Sequence, residues 1–189
     1  GSITDYQTVF DFAKDKDVVT VEIENVNIEA LEEVQKMGVK VFPQPHVLRI
    51  IRDKGIQKEF YKKHNLPTSD FFLIDNKTDL ISNIVSFPVV QKLRTGGYDG
   101  RGVQVLKNKE DIEKGFDAPS ILEEFIPFDK ELAIIVSRNE SGEVNTFPVV
   151  ECEFSPEANL VEFLFSPADV SGLVEDKAKE LAINIIESL

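Results

Sequence analysis

The chain has 189 residues, and its 34 Asp and Glu against 21 Lys and Arg give a net charge of −13 at neutral pH. This acidity argues against nucleic acid and anionic membranes as partners, because both are themselves negatively charged. Apolar residues make up 42 % of the chain and charged residues 29 %, which is typical of a globular protein and excludes a disordered one. The length fits one domain or two small ones.

Neither a membrane span nor a secretory leader is indicated by the apolar pattern. No apolar run approaches the roughly 18 residues that a membrane helix needs, so we predict a soluble, cytoplasmic protein. The single cysteine, Cys152, cannot form an internal disulfide, and His46 and His64 lack the spacing of a zinc site. We therefore predict no metal ligands among these residues.

The first 85 residues alternate between helical and extended patterns. The predicted elements are, in chain order, a helix from a cap at Thr4 or Asp5 to about Ala13, a strand over 18–24, a helix over 28–37 capped by Asn27 and ended by Gly38, a strand over 39–42, one broken helix or two consecutive helices over 46–65 with Gly55 at the joint, a strand over 71–75 and a helix over 78–84. Alternation of this kind is typical of a parallel α/β sheet.

From about residue 88 the pattern changes to short strands. The predicted elements are strands over 88–92 and 103–106, a short helix over 109–115, a strand over 120–126, an antiparallel hairpin of 131–137 with 144–153 turning at 138–143, and a last helix that reaches Leu189. The predicted fold class is therefore α/β followed by α+β. Because no Gly or Asn cap follows Leu189, we expect the chain to end within its last helix.

Segment 92–102 carries four glycines within seven residues, between two predicted strands. Such glycines allow positive φ angles and bring several backbone N–H groups to one ligand, and Lys92, Arg94 and Arg101 add three cations. The segment therefore predicts a phosphate site. It is not a Walker A loop, because no Gly-Lys-Ser/Thr closes it, nor a dinucleotide fingerprint, because Val105 stands where the third glycine belongs. A mobile hairpin turn with incidental arginines is the alternative interpretation.

Four segments together carry a family resemblance. They are Gln91-Lys-Leu-Arg-Thr-Gly-Gly-Tyr-Asp-Gly-Arg-Gly102, Glu22-Ile-Glu-Asn25, Asp53-Lys-Gly-Ile-Gln-Lys58 and Phe147-Pro-Val-Val-Glu151. In this order they resemble the N5-carboxyaminoimidazole ribonucleotide synthetases, a family of the ATP-grasp superfamily, and the resemblance spans essentially the whole chain. It implies an ATP-grasp fold, ATP-dependent carboxylation of aminoimidazole ribonucleotide with bicarbonate through carboxyphosphate in purine biosynthesis, and a homodimer.

The resemblance also implies a division of the chain and a set of site residues. Residues 1–43 would end an N-terminal α/β domain, 44–85 would link it to the ATP-grasp domain, 86–126 would form the ATP-grasp lid, and 127–189 would form part of its core. The ATP site would comprise Lys54, Lys92, the lid loop Gly97, Tyr98, Asp99, Gly100, Arg101, Gly102 and Val103, the adenine linker Glu123, Glu124, Phe125 and Ile126, and the ribose-binding carboxylate Glu131.

The same resemblance assigns the ribonucleotide substrate to Glu24, Tyr98, Asp99 and Arg101, with Asp99 and Arg101 as candidate catalytic residues. The family often has a histidine after its Pro-Val-Val-Glu strand, where this chain has Phe154.

Each of these residue types also has a simpler interpretation. Glu123 and Glu131 can be solvated carboxylates, and Lys54 can belong to an exposed basic helix face with Arg52, Lys58, Lys62 and Lys63. Two pairs of glutamates, Glu22 with Glu24 and Glu151 with Glu153, would each share a strand face and could bind Mg²⁺ or exchange protons; for the second pair a solvated face is favoured. Cys152 is expected to be a small core residue, its thiolate disfavoured by adjacent carboxylates.

The implied cofactors are ATP and Mg²⁺, and the resemblance places the Mg²⁺ ligands beyond the last helix, outside this chain. Phosphoryl transfer depends on such ions, so we expect these 189 residues alone to be inactive. Two alternatives stay open at this point: an ATP-grasp ligase with a different acceptor, and an isolated nucleotide-binding module.

Overall fold

The computed structural model describes residues 1–97, 101–155 and 160–189, and it divides into two compact units, Gly1–Gln57 and Lys58–Leu189. The elements of the first unit are α1 (Tyr6–Ala13), β1 (Val18–Thr20), α2 (Ile28–Lys36), β2 (Lys40–Phe42) and α3 (Pro45–Arg52). Helix α4 (Lys54–Lys63) runs across the division. No helix in the described ranges is both long and apolar enough to cross a membrane.

The first unit confirms the predicted strand, helix and strand. Strands β1 and β2 are parallel, with Val19 opposite Val41, and α2 connects them. The Asn27 side chain caps α2 by accepting a hydrogen bond from the Ala30 N–H, as predicted from its helix-start position. Asp5 caps α1 in the same way. The buried core of this unit includes Val19, Leu31, Val34, Val41 and Leu48.

Strand β1 is shorter than predicted, and this corrects the predicted placement of Glu22 and Glu24. It ends at Thr20, opposite Phe42, and one further backbone bond runs from the Val21 N–H to the Phe42 carbonyl. Glu22 and Glu24 lie exposed in the loop beyond. The prediction that they share one strand face was therefore wrong.

The junction between α3 and α4 lies at Asp53 and not at Gly55 as predicted. Asp53 has an extended backbone, and its carboxylate accepts hydrogen bonds from the N–H groups of Gly55 and Ile56. An aspartate in this position accepts hydrogen bonds from the first N–H groups of a helix, so α4 begins directly after Asp53. Gly55 is buried inside α4.

The second unit continues with short strands and two further helices. Its elements are β3 (Phe71–Ile74), α5 (Lys77–Asn83), β4 (Val89–Leu93), β5 (Val103–Leu106), a 3₁₀ helix (Lys109–Lys114), β6 (Ser120–Glu124), β7 (Glu131–Ala133), β8 (Val136–Arg138), β9 (Val144–Thr146), β10 (Val150–Phe154), β11 (Val161–Phe165) and α6 (Gly172–Ser188). The predicted last helix is thus confirmed.

A four-stranded antiparallel sheet of order β3-β6-β4-β5 carries the predicted phosphate segment. Alternate residues of each strand face opposite sides. One side forms the core of this part of the unit, through Ile74, Leu80 of α5, Val89, Leu106 and Leu122. The other side carries Phe71, Val90, Lys92 and Glu123, and is called the open face below.

The predicted antiparallel hairpin of 131–137 with 144–153 is confirmed, and its pairing falls into two stretches. Strands β8 and β9 form a hairpin with Val136 opposite Thr146, and it turns at 139–143 within the predicted turn. Nearer the base of the hairpin β7 pairs with β10, and β11 pairs with the other edge of β10 in the sheet β11-β10-β7. Between the two stretches the Phe147 N–H donates to the Ile135 carbonyl. Strand β11 was not predicted, although its Val-Glu-Phe-Leu-Phe sequence has high β propensity.

Gln91 provides a polar anchor inside the sheet core. It is fully buried, its amide donates to the Ser120 Oγ at 2.8 Å and to the Phe116 carbonyl at 3.0 Å, and its carbonyl accepts from the Phe116 N–H at 2.8 Å. Gln91→Leu would leave those groups buried without partners, so we expect the free energy of unfolding to fall by about 2 to 3 kcal/mol. Urea unfolding tests this, with Gln35→Leu on the exposed side of α2 as control; equal losses in the two variants would contradict it.

Candidate functional site

The open face holds a buried cluster of three charged side chains, Lys58, Glu123 and Lys92, called the charge triad below. The Lys58 Nζ lies 2.6 Å from the Glu123 Oε1, and the Lys92 Nζ lies 2.6 Å from the Glu123 Oε2. Lys58 also donates to the Thr68 Oγ1 at 2.6 Å and to the Ser69 Oγ at 2.8 Å. One carboxylate thus bridges two ammonium groups.

The sheet register explains why these groups meet. Glu123 on β6 is opposite Val90 on β4, and Lys92 is two residues further along β4 on the same face. Diagonal neighbours of this kind lie within reach of long side chains. Lys58 comes from helix α4, where it lies one helical turn from buried Gly55.

The three side chains of the charge triad differ in how far they are exposed. The Glu123 side chain is 7 % exposed and Lys58 is 10 % exposed, whereas Lys92 is 34 % exposed. Burial raises the pKa of the Glu123 carboxyl, but the hydrogen bonds from Lys58 and Lys92 outweigh it, so the pKa lies below its ordinary value. Glu123 is therefore ionised at neutral pH, and Lys92 is the end of the cluster that meets solvent.

The glycine segment closes into a narrow neck beside Lys92. The Leu93 N–H donates to the Gly102 carbonyl at 2.8 Å, and Gly102 has a φ of 78°. A Cβ at Gly102 would lie 3.0 Å from the Gly97 Cα, so the two glycine backbones touch. Only glycine fits both the angle and the approach, which explains two of the four glycines on structural grounds.

Lys92 therefore stands at the end of a strand, between the neck of the glycine segment and an apolar strip of the same face. The strip contains Val90, Val103 and Val105, which are partly buried, and Ile121, which is buried. An ammonium beside apolar side chains suits a ligand with an anionic group and a flat apolar group.

The other predicted site residues are distributed as follows. Glu124, Phe125 and Ile126 are exposed where the chain leaves β6, which ends at Glu124 and not at Ile126 as predicted. Val103 is opposite Lys92 in the sheet, Arg101 is exposed, and Glu131 lies opposite Cys152 in the sheet β11-β10-β7. Lys54 and Glu24 belong to the first unit. Tyr98, Asp99 and Gly100 lie outside the described residues.

Two interpretations from the sequence need correction. Glu123 is not a solvated strand carboxylate, and Lys58 does not belong to an exposed basic helix face, because each is buried against the other. Lys58 was the functional candidate that the sequence reasoning missed. Its spacing of three residues from Gly55 and from half-buried Tyr61 placed it on the inner stripe of α4 and could have indicated its burial.

The predicted glutamate pair on β10 has two different environments. Glu151 accepts from the Lys130 Nζ at 3.0 Å and from the Asp169 N–H at 3.3 Å, whereas Glu153 is exposed. Phe154, where the family often has histidine, is opposite Val161 of β11. Within 1–97, 101–155 and 160–189 there is no group of three or more His, Cys, Asp or Glu side chains that could hold a metal ion.

Cys152 lies between these glutamates on β10. Burial and the carboxylate of Glu131 on the neighbouring strand raise the pKa of its thiol, so the disfavoured thiolate is confirmed, with a cross-strand carboxylate contributing. We expect alkylation by iodoacetamide to reach half its maximal rate at a higher pH than for free cysteine. Labelling followed by mass spectrometry across a pH series tests this, and a midpoint at or below that of free cysteine would contradict it.

Comparison with known proteins defines the class. Residues 59–189 match the model of the ATP-grasp domain, and residues 1–52 match that of the ribonucleotide synthetase preATP-grasp domain. The first match covers most of the chain, so the chain belongs to the ATP-grasp family, which confirms the predicted fold.

Within that family the similar proteins include phosphoribosylaminoimidazole carboxylases and N5-carboxyaminoimidazole ribonucleotide synthases. The whole chain aligns with 36 % of the length of the phosphoribosylaminoimidazole carboxylase of Ogataea methanolica, at 37 % sequence identity. It also aligns with 49 % of the length of the N5-carboxyaminoimidazole ribonucleotide synthase of Synechococcus elongatus, at 34 % identity. It also superposes as a whole, with a TM-score of 0.87 and 29 % identity, on 50 % of the N5-carboxyaminoimidazole synthase of Aspergillus clavatus in complex with ADP and 5-aminoimidazole ribonucleotide. The chain thus spans between about a third and a half of the length of these relatives.

Proposed function

We propose that this chain is part of an ATP-dependent ligase that carboxylates 5-aminoimidazole ribonucleotide with bicarbonate. The observation that carries the proposal is Lys92, held by buried Glu123 beside the neck of the glycine segment. The similarity to N5-carboxyaminoimidazole ribonucleotide synthases, one of which is solved with ADP and the ribonucleotide, supports the choice of substrates.

The proposed reaction is the one that the family resemblance implies. A bicarbonate oxygen attacks the γ-phosphorus of ATP, the bond to the β-phosphate oxygen breaks, and carboxyphosphate and ADP form. Carboxyphosphate then releases CO₂ and phosphate, and the exocyclic amine of the ribonucleotide attacks the CO₂ carbon and loses a proton. The protein contributes positioning and positive charge at the transferred phosphoryl group.

Roles for the residues of this chain are proposed from the family resemblance. Lys92 and Lys54 would bind phosphate oxygens, as would the backbone N–H groups of the lid loop, Gly97 to Val103. The linker Glu123 to Ile126 would present backbone groups to the adenine edge, and Glu131 would accept the ribose hydroxyls. Mg²⁺ would neutralise charge on the β- and γ-phosphates, and from the family resemblance its ligands are proposed to lie outside residues 1–189.

The ribonucleotide is proposed to contact Glu24, Tyr98, Asp99 and Arg101, with Asp99 and Arg101 acting at the reacting groups. The guanidinium of Arg101 suits an anionic group by forming two parallel hydrogen bonds.

The wider assignments are also part of the proposal. Residues 1–43 are proposed to end a preATP-grasp domain, 44–85 to link it to the ATP-grasp domain, 86–126 to form the lid, and 127–189 to form part of the core. Residues 1–189 by themselves are proposed to be inactive, because the Mg²⁺ ligands are proposed to lie outside them. The complete protein is proposed to be a homodimer. A cytoplasmic location is proposed as well, while one relative, from Vigna aconitifolia, is chloroplastic.

Transfer of label from ¹⁴C-bicarbonate tests this function in the complete gene product. We expect acid-labile label to appear on 5-aminoimidazole ribonucleotide, in amounts equal to the ADP formed, and only when ATP is present. ATP hydrolysis that requires a different acceptor, or nucleotide binding without any turnover, would contradict the proposal and would favour another ATP-grasp ligase or a binding module respectively.

A further inference from the structure

The charge triad contains one group that the proposed reaction does not use, the ammonium of Lys58. A lysine ammonium has three donors, and here they meet the Thr68 Oγ1 at 2.6 Å, the Ser69 Oγ at 2.8 Å and the Glu123 Oε1 at 2.6 Å. Its side chain is only 10 % exposed. Lys58 is therefore fully engaged inside the protein and is unsuited to bind a ligand itself.

The neighbouring lysine has the opposite character. Lys92 is the most exposed member of the charge triad, and within the part of the chain that the structure describes its ammonium has one partner, the Glu123 Oε2 at 2.6 Å. Toward the described residues its other two donors are unengaged, so they can serve a ligand at the open face.

Lys58 determines the net charge of the charge triad. A carboxylate paired with Lys92 alone would form a neutral pair, and such a pair would attract an anion only weakly. Because Lys58 also binds Glu123, the cluster of two ammonium groups and one carboxylate has a net charge of +1, and burial of Lys58 and Glu123 leaves that charge at Lys92. The low dielectric around buried groups keeps the interaction strong.

We infer that Lys58 is a positioning residue for nucleotide binding: it neutralises Glu123, so that Glu123 can hold Lys92 in place without cancelling its charge toward the triphosphate. This inference rests on the proposed function. It adds to that function a residue that acts through Lys92 and not on the ligand. The hydroxyls of Thr68 and Ser69 complete the arrangement by fixing the Lys58 ammonium.

The test uses charge compensation in the complete gene product, with Mg·ATP titrated calorimetrically in the absence of the other substrates. We expect Lys58→Met to weaken Mg·ATP binding roughly tenfold, because it removes one unit of charge near the phosphates. The double variant Lys58→Met with Glu123→Gln restores the net charge of +1, so its affinity should return to within about threefold of the wild type. Lys63→Met, on an exposed position of the same helix, should change nothing.

Adenosine distinguishes a charge effect from general damage to the fold. It lacks phosphates, so its affinity should be the same in the wild type and in Lys58→Met. Mg·ATP affinity unchanged in Lys58→Met would overturn the inference and leave the proposed function standing. Failure of the double variant to recover would also overturn it. If Lys58→Met does not fold, the double variant decides alone, and a loss of tenfold or more in it would refute the inference.

The proposed function fails separately, if the wild-type protein itself does not bind Mg·ATP. That result needs no variant, so the two failures are distinguishable.

Discussion

Lys92→Met is expected to lower ATP-dependent turnover of the complete gene product by about 100- to 1000-fold. The ammonium lies at the open end of the charge triad, where its charge would stabilise the phosphoryl group during transfer, and methionine fills similar space without that charge. The measurement is ADP release in a coupled assay with bicarbonate and 5-aminoimidazole ribonucleotide present.

Lys109→Met is the matched control, because Lys109 is an exposed lysine of the same unit, at the start of the 3₁₀ helix. It should retain wild-type turnover. Loss of activity smaller than about tenfold in Lys92→Met would remove Lys92 from the catalytic site.

Glu123→Ala is expected to lower the free energy of unfolding by about 3 to 5 kcal/mol. The substitution removes the carboxylate between two ammonium groups and leaves Lys58 charged and buried without its counterion. Urea unfolding at neutral pH measures the loss. Glu124→Ala, one residue further at an exposed position, should change stability by no more than about 0.5 kcal/mol, and equal effects of the two substitutions would contradict the structure of the charge triad.

The stability difference between wild type and Glu123→Ala is expected to depend on pH. The pKa of Glu123 is lowered in the folded state, because hydrogen bonds from Lys58 and Lys92 outweigh the opposing effect of burial. Stability from a carboxyl of this kind is fully present above its unfolded pKa and is lost as the pH falls through the folded pKa. The stability difference between wild type and Glu123→Ala should therefore shrink on acidification below the ordinary glutamate range. A difference that stays constant or grows would show that Glu123 is not the ionised centre of the triad.

The sequence predicted those parts of the fold that depend on local signals. Asn27 and Asp5 were recognised as helix caps, and the parallel β1 and β2 followed from the strand, helix and strand pattern. The glycine segment was recognised because its composition is unusual, and the structure confirms that it joins two adjacent antiparallel strands.

Errors arose where a residue's partner lies far along the chain. β1 was predicted to reach residue 24 but ends at Thr20, opposite Phe42 at the end of β2. This limit is not visible in a local window of sequence around β1.

The candidate site shows the same limit. Lys92 could be selected from its position beside the glycines, but Lys58 looked like an ordinary surface lysine among Lys54, Lys62 and Lys63. Its burial depends on Glu123, which belongs to a strand reached only after three intervening strands. The division of the chain into domains and the ligand contacts of the site residues stay predictions.

The most direct test of the central claim is calorimetric titration of Mg·ATP into the wild-type complete gene product and into Lys92→Met. We predict saturable binding by the wild type and binding about 10- to 100-fold weaker in the variant, since a charge-assisted hydrogen bond to phosphate is lost. Equal affinities for the two proteins would contradict the account, because the open face would then not be where the triphosphate binds.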